Sequence, residues 1–340
     1  MKIVDIHKTG SFILLLTILT VVLLLVDLCF GSVNIPLPQL KCAILGEKNI
    51  YQSILYDIRL PKAIMAIIVG MSLSASGLLM QTYFRNPLAG PFVLGISSGA
   101  TLGVAVFILF FSLIGVTLPD VLLKWGSALF AMLGALVLFL FIMLASIRVR
   151  DAVTLLIVGM MMGTVATALI SVLQNMSDPD SVKLFVNWTL GSLSLVGWEH
   201  IEVIIPLVLI GFIFVFLLIK PLDALLLGED YASSLGVNVS SCKFMIILAT
   251  ILLTGVTTAF TGPIGFVGIA VPHVTRTLLN TSIHRKVVPC TLLIGACMML
   301  LCDIISQLPQ NGYVLPINAV TALMGVPIVL WVILGNNKFR

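Results

Sequence analysis

Only a few side chains in this sequence could do chemistry, and they stand far apart. Arg59 and Lys62 flank Leu60-Pro61. Two cations within one helical turn can grip a carboxylate or anchor a helix at the lipid headgroups. His273 and Arg276 lie in VPHVTR, and Asp303 lies in CDIISQ, each inside an apolar run. An ionisable group in such a run is a functional candidate by default, and a structural hydrogen bond or ion pair is the competing role. Lys183 precedes Trp188, and Glu229-Asp230 follows Leu225-Leu226-Leu227-Gly228. His273 has no second ligand at metal spacing. No HExxH, paired DxxxD or GxxxxGK[ST] occurs, so the sequence carries no motif for metal hydrolysis or phosphate binding. Six cysteines form no CxxC pair and read as buried free thiols.

The elements that must position these residues are set by composition. The chain is 60% hydrophobic and 9% charged, whereas soluble domains are about 25% charged. So few charges cannot cover a water-soluble surface, and the fold class is an all-α integral membrane protein. No stretch is polar enough for a separate soluble domain, so residues 1–340 form one membrane domain. A spanning helix needs about 20 apolar residues. Ten segments qualify: 11–30, 60–82, 92–114, 122–146, 152–175, 201–220, 242–261, 264–280, 288–306 and 315–335. The first has an apolar run too long for a signal peptide and lacks a convincing cleavage site. With the N-terminus in the cytoplasm, the inner side holds Lys2, Lys8, Arg85, Arg148, Arg150, Lys220, Lys243, Arg276, Arg285, Lys286, Lys338 and Arg340. The outer side holds Lys41, Lys48, Arg59, Lys62, Lys124 and Lys183. This asymmetry follows the positive-inside rule and predicts both termini inside.

Three interruptions stand out. In RNPLAGPFVLGISSGATLG (85–103), Pro87 disfavours helix at Asn86, and Gly90-Pro91 makes a second break. Gly95, Ser97, Ser98, Gly99 and Gly103 then form a small-residue helix suited to close packing. Irregular backbone at this depth must be covered by protein or line a water-filled path. Residues 177–200 predict an outer loop with a short helix. Residues 221–241 predict an inner loop with two short helices, over Leu225–Leu227 and Tyr231–Leu235, separated by Gly228-Glu229-Asp230. Its Leu-Leu-Leu run is a liability in water unless a partner covers it.

From about residue 55 to the C-terminus the chain resembles the FecCD family of permease subunits of bacterial ABC importers for iron-siderophores, haem and cobalamin. The resemblance rests on RLPKAIMAIIVGMSLSASGLLMQTYFRNPLAGPFVLGISSGATLG, on LGEDYASSLGVNVSSCKFMIILATILLTGVTTAFTGPIGFVGIAVPHVTR, and on LLIGACMMLLCDIISQLP with VLPINAVTALMGVPIVLWVIL. It implies a ten-helix type II importer permease in the bacterial cytoplasmic membrane. It also implies a homodimer with the path on its two-fold axis, two ATPase subunits below and a substrate-binding protein outside. ATP and Mg would sit on the ATPase, with no cofactor held by this chain.

Residue by residue, the resemblance implies that Arg59 and Lys62 dock the binding protein. A third family position, often Arg, is Gln307 here. Asn86 and Leu88 would close the cytoplasmic mouth. Met160, Met161 and Met162 would line the path with soft apolar surface, and Lys183 would attract an anionic cargo. Leu225, Leu226, Leu227, Gly228, Glu229, Asp230, Ala232, Leu235 and Gly236 would form the ATPase coupling loop. The motifs holding His273, Arg276 and Asp303 recur across cargoes, which favours a structural role for them.

An ion-driven secondary transporter would place more ionisable groups at a midplane cavity and would give the coupling loop no purpose. An intramembrane enzyme would need one of the missing motifs. Within the importer reading, an iron chelate, siderophore or haem, is the expected cargo, with cobalamin as the alternative.

Overall fold

The computed structural model describes residues 6–29, 50–115, 120–149, 152–308 and 314–335. The two chain ends lie outside these residues. So do Lys2, Lys41, Lys48, Arg150, Lys338 and Arg340, and with them the expected placement of the termini.

The described residues are helical, without strands. In chain order the helices are α1 (Ile6–Cys29), α2 (Leu60–Tyr83), α3 (Ile96–Leu113), α4 (Asp120–Arg148), α5 (Ala152–Met176) and α6 (Pro179–Thr189). Then follow α7 (Trp198–Leu217), α8 (Ile219–Leu225), α9 (Glu229–Ser234), α10 (Val239–Thr261), α11 (Val267–Leu279), α12 (His284–Ser306) and α13 (Ile317–Gly335). Eight of them are long and apolar enough to cross a bilayer.

Helix α2 is the hub. It is buried along nearly its whole length and packs against α12, α11 and α10. Between α2 and α12 the backbones nearly touch. A Cβ added at Gly70 would come 2.2 Å from the Gly295 carbonyl oxygen, and one at Gly295 would come 2.3 Å from that of Gly70. Where lipid tails leave no hydrophobic drive, such close packing and interhelical hydrogen bonds hold helices together. Ser74 Oγ supplies one bond, reaching Thr291 O at 3.1 Å, and Thr254 Oγ1 supplies another to Ser76 Oγ at 2.8 Å. Helix α3 packs on α4 and α5 in the same small-residue fashion.

Local chemistry fixes the ends. Pro61 occupies the first turn of α2, where its missing N–H costs nothing. Gly95 (φ +72°), expected on the small-residue helix, instead precedes α3 in the left-handed conformation that glycine permits. Lys243 Nζ donates to the carbonyls of Ser146 and Val149, at 3.2 and 3.3 Å, and so caps the C-terminus of α4.

Two elements differ from the sequence-based expectation. The segment expected to span at 264–280 contains α11, of only 13 residues. At 1.5 Å per residue it is about 20 Å long, short of the roughly 30 Å hydrocarbon core. Its entry is irregular, with Phe266 at φ +65°. The backbone N–H of Gly265 donates to Asn318 Oδ1 at 3.1 Å, so α13 props up the break. In the inner loop the short helices are α8 and α9, shifted toward the N-terminus from Leu225–Leu227 and Tyr231–Leu235. Gly228 (φ +120°) takes the break, which leaves Glu229 and Asp230 free to sit in the first turn of α9, favoured by the helix dipole.

Candidate functional site

The end of the bundle expected to face outward holds an ion cluster. Lys62 Nζ lies 2.9 Å from Asp303 Oδ1. Gln307 Nε2 donates to Asp303 Oδ2 at 2.9 Å and reaches Asp27 Oδ1 at 3.4 Å. Arg59 Nη1 donates to the carbonyls of Leu28 and Cys29 at 2.7 and 3.0 Å, capping α1. Both cations expected to dock a binding protein are turned inward, 7% exposed for Arg59 and 8% for Lys62. In this arrangement their charges are answered within the chain. Asp27 was not singled out in the sequence, although an acid near the end of a span (LLLVDLC) is itself a signal. Gln307 fits here, because its neutral amide bridges two carboxylates.

The outer loop helix α6 is built by Asp178. Its side chain accepts from the Ser181 backbone N–H at 2.9 Å and from Ser112 Oγ at 2.7 Å. These hydrogen bonds hold its carboxyl down at about 2. Phe185 and Trp188 of α6 are buried, while Lys183 is exposed on the opposite side.

Helix α5 presents a face that the sequence reading missed. Thr164, Thr167, Ser171 and Asn175 are exposed and follow Met160 at helical spacing, so all five lie on one side. Each of the three hydroxyls donates back to a carbonyl of its own helix: Thr164 to Met161, Thr167 to Gly163 and Ser171 to Thr167. The signal was legible as polar residues spaced 3, 4 and 4 apart. Met161 is exposed beside this face. Met162 points elsewhere, into an apolar cavity of about 330 Å³ between α3, α4 and α5 that Gly103, Phe130 and Leu133 also line.

At the end expected to face inward, Asn86 Oδ1 accepts from the Leu88 backbone N–H at 2.9 Å, a local turn that leaves Leu88 44% exposed. Arg85 sits at φ +46°, and its guanidinium lies over Gly228. Within the loop, Leu225 and Ala232 are buried, whereas Leu227, Tyr231, Leu235 and Gly236 are exposed. The Leu-Leu-Leu run therefore divides, with Leu225 holding the loop to the bundle, Leu226 half-buried and Leu227 standing out at 64%. Asp230 is exposed and Glu229 half-buried. Asp223 Oδ1 meets His284 Nδ1 at 2.7 Å. Burial raises the Asp223 pKa, but the ring and backbone N–H of His284 outweigh it and leave the carboxyl below its ordinary value. Arg276 Nη1 donates to Gln81 Oε1 at 2.7 Å. His273 is buried, and its carbonyl accepts from Thr277 Oγ1. Among the described residues no cluster of His, Cys, Asp and Glu could hold a metal ion.

The chain matches the FecCD transport family over residues 18–335. It is 34% identical to the hemin transport system permease protein HmuU of Yersinia pestis, covering 94% of this chain and 95% of that one. It is also 34% identical to the vitamin B12 import system permease protein BtuC of Klebsiella pneumoniae, covering 95% of this chain and 93% of that one. A solved structure of an ABC transporter assigned to the metal-chelate type, in an inward-facing conformation, superimposes with a TM-score of 0.85. It is 28% identical and is covered to 99%, with 96% of this chain. With its apolar spanning helices and a match over most of its length, the chain belongs to the FecCD transport family as a multi-pass permease of the inner membrane.

Proposed function

We propose that this permease imports an iron chelate, a ferric siderophore or haem, as one of two identical copies flanking a shared path. The single observation that carries the translocation reading is the face Met160–Thr164–Thr167–Ser171–Asn175 on α5. A helix facing only lipid gains nothing from a line of exposed polar side chains, whereas a water-filled path does. Met160 and Met161 add soft surface beside it. Lys183, on the outer loop, gives an anionic chelate an attractive charge at the entrance.

The exposed side chains Leu227, Tyr231 and Leu235, with Asp230 at their edge, support docking of a separate ATPase on the inner loop. That ATPase would supply the ATP and Mg chemistry for which this sequence has no motif. Asn86 and Leu88, in the turn beside this loop, would close the inner mouth. Arg59 and Lys62 would meet the binding protein only by exchanging Asp303 and the α1 carbonyls for its carboxylates, so docking and opening of the outer cluster become one event. Cobalamin is the second reading, favoured by the BtuC likeness, which equals that to HmuU.

The test is ATP-dependent uptake into vesicles holding the permease, its ATPase and its binding protein. Hemin, a ferric siderophore panel and cobalamin are offered in competition. Uptake of hemin or a siderophore, requiring ATP and the binding protein, is expected. Selective uptake of cobalamin would overturn the iron reading. As a second check, Leu227→Asp should abolish co-purification of the ATPase, because it places a charge where an apolar groove must close.

A further inference from the structure

A polar chain, buried at His284 and Thr82 and half-buried at Asp223 and Arg276, connects the inner loop to the last turn of α2. Asp223, on α8, accepts through one oxygen from both the ring Nδ1 (2.7 Å) and the backbone N–H (2.9 Å) of His284. That backbone N–H belongs to the first turn of α12, where a carboxylate is favoured. On its far side, His284 Nε2 lies 2.9 Å from Thr82 Oγ1. Thr82 Oγ1 also accepts from Arg276 Nη2 at 3.3 Å and lies 2.9 Å from Leu78 O. Arg276 Nη1 holds Gln81 Oε1 at 2.7 Å, and Gln81 Nε2 donates to Ile269 O of α11 at 3.0 Å. Four helices, α8, α12, α2 and α11, thus meet through side chains that apolar residues could have replaced.

We propose that Asp223, His284, Thr82 and Arg276 are positioning residues that carry movement of the ATPase-docking loop to the cytoplasmic mouth. The proposal rests on the reading of the α8–α9 loop as that docking surface. Apolar packing would join these helices without fixing their register. Directional bonds among buried groups do fix it, and leaving one unmade is costly, so the set tends to shift as a unit. Thr82 stands three residues before Arg85, whose left-handed backbone opens the Arg85–Leu88 turn. Arg85 then lies over Gly228, so the loop touches the turn directly through the guanidinium and reaches the last turn of α2, just before it, through His284. A displacement of α8 by the ATPase pulls on Asp223, and the nearest ordered backbone at the other end of the chain of bonds is the mouth itself.

The experiment uses the complex purified with its ATPase and carrying Leu88→Cys as a reporter, labelled with a fluorescent maleimide with and without ATP and vanadate. Thr82→Val keeps shape and removes the hydroxyl, and Asp223→Asn acts at a half-buried position. Both are expected to retain the ATPase while the nucleotide-dependent change in labelling rate collapses by on the order of tenfold, the scale of one charged hydrogen bond. Thr82→Ser should restore it. A full nucleotide response in Thr82→Val and Asp223→Asn would overturn the linkage and leave the docking reading standing. Release of the ATPase by these two variants would also overturn it, since the network would then build the docking face and not transmit from it. ATPase retained by Leu227→Asp would instead sink the docking reading, and the linkage with it.

Discussion

Lys62 shows how far one side chain can be misread from its neighbours in sequence. Beside Arg59 and Pro61 it reads as an outward-facing cation, but it is paired with Asp303, at the other end of the chain and out of reach of any local pattern. Removing one partner of a buried pair leaves the other charge uncompensated, at a cost of about 3–5 kcal/mol. Lys62→Met should therefore lower the unfolding temperature of the purified permease markedly. Lys62→Met with Asp303→Leu should recover most of the loss, because neither charge is then stranded. Equal melting of the single and double variants would show that the pair contributes nothing. Asp223 makes a pH-dependent contribution of opposite reach. Its folded carboxyl lies below its ordinary value, so its stabilisation is complete above the unfolded carboxylate pKa and fades as pH falls through the folded one. The tie to His284 should hold at neutral pH and weaken only in acid.

Elements were more legible than pairs. The spans at 60–82, 122–146, 152–175 and 288–306 announced themselves by length and hydropathy, and α2, α4, α5 and α12 cover them. The short helix in the outer loop was legible because Asp178-Pro179 is a helix start. Helix α11 was not, because apolar residues 264–266 continue the greasy run while Phe266 (φ +65°) breaks the backbone, and hydropathy does not register a dihedral angle. Which helices pack closely was half legible, since small residues were visible but their partners were not. Gly70→Ala should be among the most damaging single-methyl additions in the chain, since its Cβ would meet the backbone of α12 at 2.2 Å. Overpacking costs roughly 1–3 kcal/mol or more. Gly10→Ala, with nothing within 4 Å, should be neutral in the same melting assay. For α6 the Asp178 carboxyl protonates only near 2, so the cap is intact above that pH and lost below it. Limited proteolysis of the outer loop should be unchanged between pH 7 and pH 4. Increased cutting at pH 4 would show that the cap does not hold the helix.

For the whole molecule, the proposed path along the polar face of α5 is what would separate a translocation subunit from a bundle that merely sits in lipid. A lipid-facing position accepts a large apolar side chain without consequence, since hydrocarbon surrounds it either way. A path-facing position also accepts it for folding, because the side chain is exposed, but the added bulk fills the route. Ser171→Trp is therefore expected to leave expression, melting and ATPase retention at parent levels while reducing cargo uptake to a small fraction of the parent rate. Leu209→Trp, at an exposed apolar site on α7, should change none of these. If Ser171→Trp transports normally in vesicles shown to hold the full complex, the hydroxyl face does not line the route. If both tryptophan variants lose uptake equally, bulk alone perturbs the bundle and the face carries no special role. Only the asymmetric outcome places the path along the hydroxyl face of α5.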